Sequence, residues 1–192
     1  VNLTTVIAAV KTRCASFGSR VAGAAEFKVL PEAANLTVPA AYVLPLDDNP
    51  GPNRSGTGYR QTVREGFAVV VVLSNTTDER GQAAVSSVHS LRAELWAALL
   101  GWQHEADAGP CEYEGGSLLH LDRARLYYQF EFAADIEVDT AQTWQGASLS
   151  AAPSFTEIQI EVDAIDPFDP NTGATGPDGK TEAGAVIAVP QT

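Results

Sequence analysis

The chain has 192 residues, of which 45% are hydrophobic and 19% charged, enough apolar material for about one domain with a real core and too much for wholesale disorder. Twelve Lys and Arg stand against 24 Asp and Glu, a net charge of −12, which argues against a general nucleic-acid binder and leaves room only for a local basic patch. Two cysteines exclude a disulfide-dense scaffold and a four-cysteine zinc site, and no apolar run approaches the roughly 18 residues of a membrane-spanning helix.

In residues 3–16, Val6, Ile7, Val10 and Cys14 recur at helical spacing, and Thr4 or Thr5 is placed to cap the start. The region of Gly18 ends or interrupts that pattern. The Ala-rich residues 21–27 fit a turn of helix or a strand-like link equally well. Residues 38–46 predict a strand, and Pro39 and Pro45 at its ends make it short or place it at an edge. Residues 47–59 hold three glycines and two prolines among polar residues and predict an exposed, mobile loop. Residues 60–74 carry the strongest strand signal. Phe67 to Leu73 is continuously apolar, as a strand covered on both faces requires.

A turn at 75–78 leads to a long helix over 79–100, capped by Thr77 or Asp78. Ala84, Val88, Leu91, Leu95 and Leu99 trace its apolar stripe. Arg92 and Trp96 lie four apart, where they can stack on a neighbouring surface. Gly101 ends the helix and Trp102 packs after it. A polar loop over 103–112 precedes a strand that follows the Gly115–Gly116 break, and the adjacent Leu118 and Leu119 leave its facing ambiguous. After a turn at 122–125, residues 126–138 alternate, with Tyr128, Phe130 and Phe132 on one side and Gln129 and Glu131 on the other. These two strands form a hairpin.

The fold class that follows is α+β: a mainly antiparallel sheet of about four strands with two helices packed on it, in the order helix-strand-strand-helix-strand-strand, plus a β-rich C-terminal arm. The core covers residues 1–140. Residues 141–192 read as an Ala/Ser/Gln-rich linker and an acidic extension without a helix. Alternation returns at 155–165, and 185–189 offers a short last strand. Residues 151–192 hold seven acids and one base, a net charge of −6 and half the total. So short a segment is expected to pair with the main sheet or with another subunit.

Chemistry-bearing motifs are weak. His89, His104 and His120 sit on three different elements without metal-ligand spacing. Cys14 and Cys111 are isolated, and Cys111, after Pro110 in a loop, is expected at the surface; a disulfide between them is disfavoured in a reducing compartment. GATGPDGKT at 173–181 has one residue too many for a phosphate loop and no helix after its lysine. Asp166, Asp169 and Asn171 miss calcium-loop spacing, and G-x-S-x-G is absent. Glu112 and Glu114 would share one face of a strand. No catalytic, cofactor-binding or metal-ligating set is assigned. The N-x-T triplets at Asn2, Asn35 and Asn75 lack an export signal and are read as coincidence; a cytosolic folding environment is the default. Arg54, Arg60 and Arg64 form the one local basic cluster, suited to an acidic partner surface, to passing nucleic acid, or simply to solvent.

The strand GFAVVVVLSN (66–75), the helix end LWAALLGWQ (95–103) and the following CEYEGGSLLHLDRARLYYQFEF (111–132) together resemble the tail terminator proteins of long-tailed bacteriophages, especially the Mu-like group. Leu99, Gly101, Trp102, Tyr113, Gly115, Gly116 and Phe130 or Phe132 carry the likeness, over about residues 3–140. Where the family often has a proline soon after the tryptophan, this chain has Gln103 and His104. The resemblance implies assembly and no catalysis: a subunit of a homo-oligomeric, hexameric ring at the tail–neck junction of the virion, made in the host bacterial cytoplasm. Such a ring caps the tail tube, stops its polymerisation and offers a surface to a neck or head-completion protein; in contractile tails it also touches sheath protein. DNA passes through the lumen without specific binding, and no membrane is involved. Arg54, Arg60, Arg64, Arg92, Trp96 and Trp102 are the candidate interface residues. The alternatives are another neck or head-completion ring, or an enzyme with a dispersed active site.

Overall fold

The computed structural model describes residues 1–27, 36–76, 82–162 and 183–189, leaving aside the side chains of residues 26 and 82–85. It divides into two compact units, Val1–Gln145 and Gly146–Thr192. The first is an α+β core around a five-stranded sheet, and the second contains a two-stranded sheet.

Helix α1 spans Leu3–Arg13 and buries Val6, Ala9 and Val10. Its cap is Asn2, whose side chain accepts from the Thr5 amide at 3.3 Å. The threonines expected to cap lie inside the first turn, where the Thr5 amide is one of the donors that needs a partner. Lys11 and Arg13 close the last turn, where cations favour the helix dipole. Residues 21–27 resolve into both expected forms: strand β1 over Val21–Gly23 and a single turn, α2, over Ala24–Phe27.

Strand β2 runs over Ala40–Pro50, well past the expected end. It pairs with β1 in parallel through Ala41–Val43 and with β3, Arg60–Ser74, in antiparallel fashion along its length. β1 stops at Gly23, so the outer side of β2 is open from Leu44 onward among the described residues, which suits Pro45 and Pro50. A bulge between Pro45 and Asp48 lets the strand continue into what the sequence suggests is loop. The remaining loop, 51–59, is folded on itself: Asn53 Oδ1 accepts from the Ser55 and Arg60 amides, both at 3.0 Å, and the Arg54 amide donates to the Arg60 carbonyl at 2.8 Å.

β3 is the central strand. It pairs on its other side with β5, Arg125–Asp139, through fifteen consecutive positions from Arg60↔Asp139 to Ser74↔Arg125. Phe67 to Leu73 is buried throughout. Val69 and Val71 face a core shared with Phe67, Phe130, Phe132, Leu95 and Val10, while Val70 and Val72 join Ala40 and Tyr42 in a smaller cluster on the opposite face. β4, Glu112–Leu121, completes the order β1-β2-β3-β5-β4 and is an edge strand. The sheet therefore has five strands, one more than the sequence suggests; a three-residue strand carries almost no periodic signal.

Helix α3 spans Gln82–Leu99 and packs Val88, Leu91, Leu95, Ala98 and Leu99 into the main core. The expected caps Thr77 and Asp78 lie outside the described residues, as does the side chain of Ala84. Gly101 adopts φ 74°, a left-handed conformation, and Trp102 N–H returns to the Leu99 carbonyl at 3.1 Å. Arg13 Nη1 donates to the Ala98 carbonyl at 2.8 Å and satisfies one open acceptor at that helix end.

Beyond β5, Asp139 and Gln142 form a capping box on a 3-10 turn over Thr140–Gln142, and helix α4 follows over Trp144–Ser150. The expected featureless linker is therefore partly helical. In the second unit, β6 (Glu157–Val162) pairs antiparallel with β7 (Ala183–Ala188), from Glu157↔Ala188 to Val162↔Ala183. Each of these two strands takes its described ladder from the other.

Candidate functional site

The arginine cluster is built by strand register. Arg64 on β3 lies opposite Asp135 on β5, and Glu112 and Glu114 stand two apart on β4. The Arg64 guanidinium meets all three: Nη1 to Asp135 Oδ1 at 3.0 Å, Nη2 to Glu112 Oε2 at 2.7 Å and Nε to Glu114 Oε1 at 2.9 Å. Arg60 Nε reaches Glu137 Oε1 at 2.9 Å, and Arg54 Nη2 lies 3.8 Å from Glu137 Oε2. Hydrogen bonds donated to Glu114 and then to Glu112 push the Arg64 guanidinium above its ordinary range, and the bond to Glu137 does the same to Arg60. Three arginines thus face four carboxylates (Glu112, Glu114, Asp135 and Glu137), and the set carries −1. It is a charge-paired lattice, with no positive surplus for phosphate. A groove of about 660 Å³ beside it is lined by Asp47, Arg64, Glu114 and Glu131 over Gly66. A Cβ on Gly66 would stand 3.1 Å from Leu46 Cβ and 3.2 Å from the Asp47 carbonyl oxygen, so the bulged β2 needs a glycine there.

Of the other three candidate interface residues, Arg92 and Trp96 lie on α3 and Trp102 just after it. Arg92 lies over the Trp96 ring at 4.9 Å, and Arg13 lies over Trp102 at 4.6 Å. Trp96 meets Tyr113 edge-on at 5.2 Å, Tyr113 meets Phe132 at 5.5 Å, and Phe132 stacks on Phe67 at 5.5 Å. Both tryptophans are half-buried against the core. Arg92 thus stacks on Trp96 itself, within one chain. The structure brings Arg92 and Trp96 together on α3, and Arg60 and Arg64 together on β3 with Arg54 in the loop before them, and it keeps the two groups on different elements.

Isolated nucleophiles and bases stay isolated. Cys111, expected at the surface, is buried: its amide donates to the Trp102 carbonyl and its carbonyl accepts from Gly101, both at 2.9 Å, so the loop is pinned to the end of α3. Burial pushes the Cys111 thiol up and the Cys14 thiol to about 12, which leaves both protonated and unreactive. His104 is buried with neither ring nitrogen hydrogen-bonded, and burial pulls its pKa down. His120 is exposed, 3.5 Å from Asp122. Among the described residues no group of three or more His, Cys, Asp or Glu is placed to hold a metal. The glycine-rich 173–181 and the Asp166–Asn171 region lie outside the described residues.

What the described residues present is a sheet carrying a charge lattice and aromatic stacks. The profile of the family described as phage tail terminator protein matches residues 1–143. The chain belongs to that family. A search of curated proteins returns no match. The terminator family is one of structural tail proteins, which places this chain in the phage tail among tail or neck proteins. No described helix is long and apolar enough to cross a membrane.

The matched span contains the whole five-stranded sheet and stops short of β6 and β7. Two apolar surfaces of this terminator escaped the sequence reading. On β4, Leu118, Leu119 and Leu121 are all exposed, next to a bulge between Leu118 and His120. Their adjacency in sequence is the trace that bulge leaves. On the hairpin, Ile158, Ile160, Val162 and Ile187 are exposed as well. Trp144 and Leu149 on α4 are likewise open, inside a stretch whose Ala, Ser and Gln content masks them.

Proposed function

We propose that this terminator is a non-enzymatic subunit of a ring, hexameric in the family pattern, that caps the tail tube at the tail–neck junction, halts tube polymerisation and presents a surface to a neck or head-completion protein. The observation that carries this reading is the family match across the entire core sheet, residues 1–143. A closed ring needs two different patches that meet at every junction. The core sheet supports that demand with two unlike edges, β1–β2 and β4. The net charge of −12 suits a lumen that lets a phosphate backbone slide without adhering. Sheath protein is a further neighbour if the tail is contractile.

Electron microscopy of the purified protein, alone and mixed with tail tubes, tests the reading. Rings seated on tube ends, with tube growth arrested, are the expected result. Uncapped tubes that keep elongating would overturn it, and attachment to head or neck particles with no affinity for tubes would reassign the chain to a neck ring.

A further inference from the structure

Two apolar surfaces of the terminator are exposed among the described residues. One is the edge strand β4, where Leu118 pairs with Tyr128 and Leu121 with Leu126 in the sheet while the outer side of the strand has no partner among the described residues. The other is the β6–β7 hairpin. Its register sets Ile158 opposite Ile187, Ile160 opposite Ala185 and Val162 opposite Ala183, so one face is wholly apolar; Glu157, Gln159 and Glu161 take the other. Ile158, Ile160, Val162, Ile187 and the three β4 leucines are between 42% and 53% exposed. A two-stranded sheet of six-residue strands is at best marginal in water, so this face needs a cover.

We propose that the β6–β7 hairpin of one copy seats on the β4 edge of a second copy, setting Ile158, Ile160 and Ile187 against Leu118 and Leu121 and linking successive subunits by an arm. The occupant is argued from what the two surfaces share. Both have a backbone edge that is unpaired among the described residues, so the hairpin extends the sheet by main-chain hydrogen bonds while the alternate side chains meet apolar to apolar. Their charges agree at the rim. Exposed Arg123 stands in the turn at the leucine end of β4, and the hairpin carries Glu157 and Glu161 beside its isoleucines. At the far end of β4, Glu112 and Glu114 are engaged by Arg64, which softens their repulsion of an acidic arm. Hairpin and edge are different patches, so the contact is head-to-tail, and the arm lies outside the family-matched 1–143. The inference rests on the ring reading for its biological setting; the arm contact itself is tested apart from it.

The full chain supplies the experiment. Two variants are made, Leu118→Asp/Leu121→Asp on the edge and Ile158→Asp/Ile160→Asp on the hairpin; every position is exposed, and circular dichroism checks that each variant folds. By analytical ultracentrifugation the wild type self-associates, and each variant alone does so at least about tenfold more weakly. An equimolar mixture of the two regains a dimer and stops there, because one intact hairpin meets one intact edge. A wild type that stays monomeric, variants that associate as wild type, or a mixture that stays monomeric would overturn the proposal. Oxidising a Leu121→Cys/Ile160→Cys chain adds a second readout, since native Cys14 and Cys111 are buried. Cross-linked dimers and longer ladders are expected; a band only at monomer mass means the arm docks on its own core and sinks the idea. Wild-type protein that caps tubes without this cross-link would refute the arm contact and keep the ring reading. The cross-link without capping would do the reverse.

Discussion

The central strand β3 and the hairpin strand β6 are written in similar material. One runs Phe-Ala-Val-Val-Val-Val-Leu and the other alternates Ile, Ile and Val, yet every residue of Phe67–Leu73 is buried and every residue of β6 is exposed. What separates them is the number of layers. β3 has a strand on each side, helices α1 and α3 over one face and the Tyr42 cluster over the other. β6 has one partner strand and, among the described residues, no second layer over it. A strand pattern fixes which way side chains point, and only the surrounding architecture decides whether that direction meets protein or water.

The strongest way to break this contrast of buried with exposed apolar residues is to truncate one aromatic of each kind. Phe132 is fully buried between Phe67 and Tyr113, so Phe132→Ala leaves a cavity and is expected to cost about 3–5 kcal/mol in urea unfolding. Trp144 is 84% exposed, and Trp144→Ala in dilute protein is expected to change the same unfolding by less than about 0.5 kcal/mol. Comparable costs at the two positions would mean that Trp144 is as fully packed as Phe132.

A finer test lies in the two glycines of β4. A Cβ on Gly116 would stand 2.8 Å from the Tyr113 hydroxyl, 2.9 Å from Tyr128 Cε1 and 3.2 Å from the Gln129 carbonyl oxygen, while a Cβ on Gly115 meets nothing within 4 Å. Gly116→Ala is therefore expected to destabilise by about 1–3 kcal/mol and Gly115→Ala to be near neutral, read from thermal or urea unfolding of the two variants. The glycine pair reads as a break before a strand, whereas the structure continues β4 through both and reserves the small residue for the second, where two tyrosines cross it.

Much of the core is legible in the sequence because its signals are local. The buried run of β3, the stripe Val88–Leu91–Leu95–Leu99, the stop at Gly101 and the alternation through Phe130 and Phe132 each need only their own neighbours to be read. What local patterns leave out depends on distant residues. Asp135 lies 71 positions from Arg64 and Glu112 lies 48, so the basic cluster looks unpaired until the register places four carboxylates around it. Cys111 looks exposed after Pro110 until its backbone is tied to Gly101 and Trp102. The pairing of β6 with β7 joins segments more than twenty residues apart, so no local pattern announces it.

The smallest effect sharpens the contrast from inside the core, where burial is incomplete in a chemical sense. His104 is 5% exposed, its ring packs near Trp102 at 6.5 Å, and both nitrogens lack a partner. Burial holds its pKa below the ordinary 6.5, so the folded protein keeps the ring neutral while the unfolded chain takes up a proton as pH falls through that value. The unfolded state then binds more protons, and stability declines as the solution is acidified below about 6.5. His104→Leu removes both the unpaired nitrogens and the titration. Its unfolding free energy at neutral pH is expected to equal or exceed the wild type by up to about 1 kcal/mol, and the wild-type minus variant difference is expected to widen between pH 7 and pH 5. A difference that stays flat across that range would mean the ring gains a proton in the folded state, with water or a partner subunit supplying what the single chain does not.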